Sequence, residues 1–205
     1  MENYMENHQN NFRQEKKYIL YQSQVNEFER NLIQNGFKLN HLSNIINNIY
    51  FDTSKKNSMQ ENINGDNLRS KHRIRWYDGS NRFVLEEKIK LSSSGFKKRI
   101  KLKASSVKKA IKESEILTKK KAVIQNSYLR QYYIKNGIRV TIDRKLNFKI
   151  PLTINSKYYP NIIVEIKFDT GMNYNPQEIL VSGMKLTKFS KFLEGLTAFE
   201  INTEY

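Results

Sequence analysis

The stretch Asn81–Leu91, NRFVLEEKIKL, decides the fold. It reads as one β-strand, because side chains that alternate between two faces have a period of two. Phe83, Leu85, Glu87 and Ile89 fall on one face, and Val84, Glu86, Lys88 and Lys90 on the other. An apolar face backed by a charged one describes any strand with a solvated side. The stretch becomes informative because other strands of the chain repeat its charged face.

Upstream, Asp78-Gly79-Ser80-Asn81 is a turn signal, so His72–Tyr77 is expected to pair with the opening strand as an antiparallel hairpin. Arg73 and Arg75 share one face of it, with Lys71 in line. Downstream, a Ser/Gly turn leads into Phe96–Leu102, where Lys97, Arg99 and Lys101 share a face. Further out, Arg13–Tyr21 aligns Arg13, Glu15 and Lys17. Ile138–Ile150 aligns Arg139, Thr141 and Asp143, and IIVEIKF within Tyr158–Asp169 sets Glu165 and Lys167 opposite Val164 and Ile166. Ile45–Thr53 is a further strand, rich in β-formers. Helices are expected from Ser23 to Gly36, over Ser105–Ser114, over Lys119–Asn136, after Asn175-Pro176, and over Lys188–Leu196. Ser54–Leu68 reads as a mobile polar loop. Many antiparallel strands with interspersed helices make an α+β chain built on a barrel or sandwich.

The 205 residues suit one domain with its own core. Residues 1–11 read as a disordered lead-in and 12–205 as a single domain. There is no cysteine, which excludes disulfides and zinc–thiolate sites. No apolar run reaches the roughly 18 residues of a membrane span, and the polar N-terminus lacks a signal peptide's apolar region. A cytoplasmic location is the expectation, with membrane association only through a partner. Thirty-six Lys and Arg against 20 Asp and Glu give a formal charge of +16, which calls for a polyanionic partner.

Glu-x-Lys recurs on three strands and Arg-x-Arg or Lys-x-Arg on two more. Turned inward in a barrel, these faces make a lumen lined with cations. Phosphates would neutralise it, Arg binding their oxygens in bidentate fashion and Lys as a point charge. Carboxylates in such a lumen suit Mg²⁺ or Mn²⁺, which makes Glu15, Glu86 and Glu165 candidate ligands. His8, His41 and His72 are scattered, and neither a nucleophilic triad nor a Gly-rich phosphate loop is present. Asp143 reads as an internal partner for Arg139 or Arg144.

These motifs, in this order, carry a resemblance. RQEKKY at 13–18 resembles the R-x-E-x-K-Y opening of the VTC domain, the polyphosphate polymerase branch of the triphosphate tunnel metalloenzymes. IYFDT at 49–53, RIRWY at 73–77, LEEKIK at 85–90, KKR at 97–99, RVTIDR at 139–144, VEIK at 164–167 and SKF at 190–192 resemble its later motifs. The resemblance implies an antiparallel β-barrel tunnel with helices packed outside. It implies phosphate binding by Arg13, Lys17, Arg73, Arg75, Lys88, Lys90, Lys97, Arg99, Arg139, Lys167, Ser190 and Lys191. Of these, Lys17, Arg73, Arg75, Lys88, Arg139 and Lys191 would be catalytic. It implies Mn²⁺ or Mg²⁺ held by Glu165, with Glu15 and Glu86 as further ligands. The substrates it implies are triphosphate, polyphosphate or a nucleoside triphosphate, with no specific nucleic acid and a separate membrane partner as an option. Two departures stand out. Phe192 occupies the place of a tyrosine, and Glu87 lies on the apolar face of its strand. Three functions fit: a phosphotransferase that extends polyphosphate, a triphosphate or polyphosphate hydrolase, and a non-catalytic polyphosphate-binding module.

Overall fold

A computed structural model describes residues 13–91 and 94–199. One ten-stranded, wholly antiparallel sheet organises them: β1 (Arg13–Leu20), β2 (Lys38–Asp52), β3 (Leu68–Tyr77), β4 (Val84–Leu91), β5 (Ser94–Lys101), β6 (Lys121–Lys135), β7 (Ile138–Lys149), β8 (Ser156–Tyr158), β9 (Ile162–Asp169) and β10 (Lys185–Thr187). Their order is β10-β1-β9-β7-β6-β2-β3-β4-β5, with β8 paired to β7 alone. The first strand therefore lies between two of the last. Four helices accompany the sheet: α1 (Val25–Gln34), α2 (Asn57–Asn64), α3 (Val107–Thr118) and α4 (Lys191–Ala198).

The strand over 121–135 corrects the helix expected at Lys119–Asn136. Ala122, Val123, Leu129, Tyr132 and Tyr133 do recur at near-helical spacing. The turn that follows decides otherwise. Asn136 and Gly137 both have positive φ, 45° and 79°, and join Lys135 to its register partner Ile138. This two-residue Asn-Gly loop matches the twist of a β-hairpin, not the end of a helix. A bulge between Ser127 and Leu129 blurs the period of two.

Three smaller corrections follow. The loop expected at 54–68 contains α2, whose first turn is held by Asp52: its carboxylate accepts from the amides of Ser58 and Met59, at 2.9 and 3.0 Å. The turn after Asn175 is a single 3-10 turn, Pro176–Ile179. The last helix begins at Lys191, with Ser190 as its N-cap.

The outer face of the sheet holds two cores. Val25, Phe28 and Leu32 of α1 cover Tyr18, Val140, Ile142, Val164 and Ile166. Ala110 and Ile111 of α3 cover Ile49, Phe51, Ile74, Trp76 and Phe83. Glu87 sits on that side too, and its place is accounted for: it meets His72 Nε2 at 3.4 Å and Lys98 Nζ at 3.9 Å.

The inner face is divided. At one end α4 packs into the curl of the sheet, where Phe192 and Leu196 meet Tyr50 and Ile124. Gly195 makes this approach possible, since a Cβ there would stand 2.8 Å from both Ile124 and Phe148. Beside it Ile46, Tyr128, Leu146, Phe148, Ile163 and Phe189 form a further apolar cluster, and beyond these the inner face turns polar and charged.

Candidate phosphate tunnel

Residues in register across antiparallel strands share a face. The ladder Glu15–Lys167–Arg139 and the ladder Lys17–Glu165–Thr141 therefore place five charged side chains on one wall. On the opposite wall Arg73 pairs with Glu86 and Glu86 with Arg99, while Lys71 pairs with Lys88 and Lys88 with Lys97. The sheet curls until the two walls face each other: Lys88 lies in the fields of Glu15, Lys17, Glu165 and Lys167, and Lys97 in that of Lys167. The corner before α4 ties the walls together. Lys17 Nζ donates to the Phe189 carbonyl at 3.0 Å, and Lys71 Nζ to Ser190 Oγ at 3.0 Å.

The charged faces anticipated from the sequence are thus brought into one lumen. Lys90 extends the row toward Arg69 and Gly95, and Arg13 stands in register with Asp169 at the start of β1. Ser190 Oγ is also engaged as the cap of α4, accepting from the Leu193 amide at 3.4 Å.

Each carboxylate is embedded among cations. Glu86 is buried; burial alone would raise its pKa, but the guanidinium groups of Arg73 and Arg75 outweigh this and hold it at about 2. Arg73 grips its Oε2 at 2.8 and 2.6 Å through two nitrogens, and Arg99 Nε reaches Oε1 at 3.3 Å. Asp143 is fully buried, and its partners differ from those expected. Arg130 grips it at 2.5 and 2.7 Å and Lys191 at 2.6 Å, whereas Arg144 pairs with Glu29. Burial would raise the Asp143 carboxyl; Arg130 and Lys191 instead hold it below its usual range. Lys191 thus fastens the first turn of α4 to the tunnel wall.

Glu15 and Glu165 form the third group. Lys167 Nζ lies 3.1 Å from Glu15 and 2.7 Å from Glu165, so one ammonium bridges both carboxylates. Burial would raise Glu165, yet Lys167, Arg130 and Lys17 hold it well below the carboxylate range. Among the described residues no cluster of three His, Cys, Asp or Glu side chains is placed to hold a metal. Two carboxylates still fit a hard cation that arrives with phosphate, since Mg²⁺ takes one or two carboxylates and completes its shell with phosphate oxygens and water. Thr141 Oγ1 supports this fit: it is buried beside Glu165 with no hydrogen-bond partner. Glu86, with both oxygens on guanidinium groups, is arranged as an anchor for Arg73.

Two lysines respond to burial and to the surplus of cations by losing basicity. Burial, then the fields of Lys17, Lys88, Arg69 and Arg73, lower Lys71 to about 7. Burial, then Arg73, Lys167 and Lys88 against a helpful Glu86, lower Lys97 to about 7. Clustered ammonium groups shift this way when nothing neutralises them.

Sequence reasoning missed a further layer. Arg75 Nε donates to Asn48 Oδ1 at 3.0 Å, and Asn48 donates to Asn126 at 2.9 Å. Tyr128 and Arg130 complete this layer from β6, the strand expected to be a helix, so their inward direction was hidden. The available signal was Asn136-Gly137. Phe192, in the place of a tyrosine, is buried against Tyr50 with ring centroids 5.3 Å apart, and Lys71 Nζ lies 5.6 Å from its ring centroid.

Comparisons with known proteins agree with this arrangement. The chain shares its fold with protein PH1819 of Pyrococcus horikoshii, at 15% identity and a TM-score of 0.57 over 91% of this chain and 99% of that one. A proposed adenylate cyclase of Vibrio parahaemolyticus gives 12% identity and 0.53 over 94% and 88%. Protein PH1012 of Pyrococcus horikoshii gives 14% and 0.53 over 81% and 82%. A search among curated proteins finds no match in sequence. The VTC domain family matches residues 4–123 and 113–200, nearly the whole chain. With the cationic tunnel in place behind that match, the chain belongs to the VTC domain family.

Proposed function

We propose that the chain is a metal-dependent phosphotransferase that moves the γ-phosphoryl group of a nucleoside triphosphate onto phosphate or a polyphosphate end. The observation that carries this is the cationic lumen itself: Lys17, Lys167 and Arg139 on one wall face Arg73, Lys71, Lys88 and Lys97 on the other, with few carboxylates among them. A polyphosphate supplies the missing negative charge at regular intervals. Arg73, kept rigid by Glu86, and Arg75, kept rigid by Asn48, would grip phosphate oxygens. Lys17, Lys88 and Arg139 would hold the neighbouring phosphates and stabilise charge on the group in flight, which is most of what phosphoryl transfer asks of a protein. Glu15 and Glu165 would hold Mn²⁺ or Mg²⁺, which would supply neutralisation of phosphate charge. The lumen draws on strands from β1 to β9 and on α4, so we treat 12–205 as one domain.

A hydrolase of the same substrates is the second reading, favoured by one observation. With α4 packed on the inner face against Tyr50 and Ile124, a short triphosphate would fit the lumen more readily than a long polymer. No helix among the described residues is long and apolar enough to cross a membrane.

Labelled ATP with Mn²⁺ tests both readings. An acid-stable labelled polymer is the expected product, and Glu165→Gln should lose it. Free phosphate from tripolyphosphate without polymer would establish the hydrolase. Tight polyphosphate binding without turnover would leave a binding module, and full activity in Glu165→Gln would remove the metal role.

A further inference from the structure

The inner wall of β6 continues outward as a ladder of stacked groups. The Arg130 guanidinium lies between two rings, 5.1 Å from the centroid of Tyr128 and 5.8 Å from that of Tyr132. Tyr132 in turn meets His41, with centroids 4.2 Å apart and ring planes at 45°. The inner end is fixed, since Asp143 grips Arg130. The outer end is open, because His41 is exposed on the first eight residues of β2, all of them exposed. Tyr77, 42% exposed, lies close enough to influence Tyr132.

His41 is aimed there by the backbone. Register shifts interrupt β2 on both sides of it, between Leu39 and His41 and between His41 and Asn44. Bulges are a device for redirecting a side chain beside a site. A regular strand would set His41 by simple alternation, so two shifts around one residue mark its direction as specified.

The ladder ends at a fixed distance from the phosphate residues. Tyr132 is in register with Thr141, and Thr141 with Glu165. Two strand spacings, about 10 Å, therefore separate the Tyr132 backbone from that of the metal candidate, and a third, to about 14 Å, that of His41. A triphosphate tail extends over a comparable span from its base.

We propose that His41 and Tyr132 form the platform on which the base of a nucleoside triphosphate stacks. This rests on the reading that the lumen holds the phosphates. The chemistry selected is a planar heterocycle, and a purine over a pyrimidine because it covers more of the ring surface. Discrimination between adenine and guanine is weak, since stacking uses a π-face that every base has. The platform sets nucleoside triphosphates apart from inorganic triphosphate, which has no base to stack.

Calorimetric titration of the whole chain with ATP, CTP and tripolyphosphate, each with Mg²⁺, tests this. Wild type is expected to bind ATP more tightly than CTP. In His41→Ala the ratio of ATP affinity to tripolyphosphate affinity falls about tenfold, the usual worth of one base–aromatic stack. His41→Phe restores the ratio, which separates lost stacking from a disturbed fold. An unchanged ratio in His41→Ala, or a ratio that His41→Phe fails to restore, overturns the platform. If wild type binds none of the three, the phosphate tunnel itself fails and the platform falls with it.

Discussion

Lys71 and Lys97 give the clearest consequence of single residues. Both are lowered from 10.5 to about 7, chiefly by burial and then by neighbouring cations. Between pH 7 and 10.5 the unfolded chain holds more protons at these positions than the folded one, so the ligand-free protein gains stability as pH rises through that window. Polyanion binding runs the other way, because phosphate favours the charged amines. Titrating tripolyphosphate at pH 7.5 in two buffers of different ionisation enthalpy should show proton uptake. A Lys71→Met, Lys97→Met double variant should show much less of it. Equal uptake in the two proteins would show that the amines are not the proton acceptors. Much of this chemistry was legible in the sequence: Glu15, Lys17, Arg73, Arg75, Glu86, Lys88 and Glu165 all face the lumen as their alternation required. The partner of Asp143 was not, because Arg130 and Lys191 reach it from a strand and a helix remote in sequence.

Among the elements, β6 and α4 matter most to the site. β6 resisted reading because its inner face mixes Ile124, Asn126, Tyr128 and Arg130, so neither face is uniformly apolar. A strand buried on one side and charged on the other announces itself; a strand lining a polar lumen beneath helices does not. The seat of α4 on this strand yields a stability prediction. Adding a methyl group at Gly195 meets Ile124 and Phe148 at 2.8 Å. Gly195→Ala should cost about 1–3 kcal/mol through overpacking, seen as a melting temperature lower by several degrees. An unchanged melting temperature would mean that α4 is not held against the sheet.

The charge of the whole molecule, +16, is spent in two ways. Lys108, Lys109 and Lys112 lie exposed on α3, where each is screened by salt and worth little. The lumen cations face one another across the curled sheet and act together. Replacing the three α3 lysines by Gln should therefore weaken tripolyphosphate binding less than about fivefold. Arg73→Ala, which also strips Glu86 of its main partner, should abolish the thermal stabilisation that tripolyphosphate confers. A ligand-induced shift lost in the α3 variant and kept in Arg73→Ala would put the polyanion on the outside.

The position of β1 between β9 and β10 bears on how the molecule comes to exist. Lys17 meets the Phe189 carbonyl 172 residues further along the chain. β1 has no partner strand until β9 and β10 have been made. Closing so large a loop before any contact rewards it places the protein among slow folders. In that interval the positive charges destined for the lumen repel one another between unfinished chains, so they favour solubility before there is a tunnel.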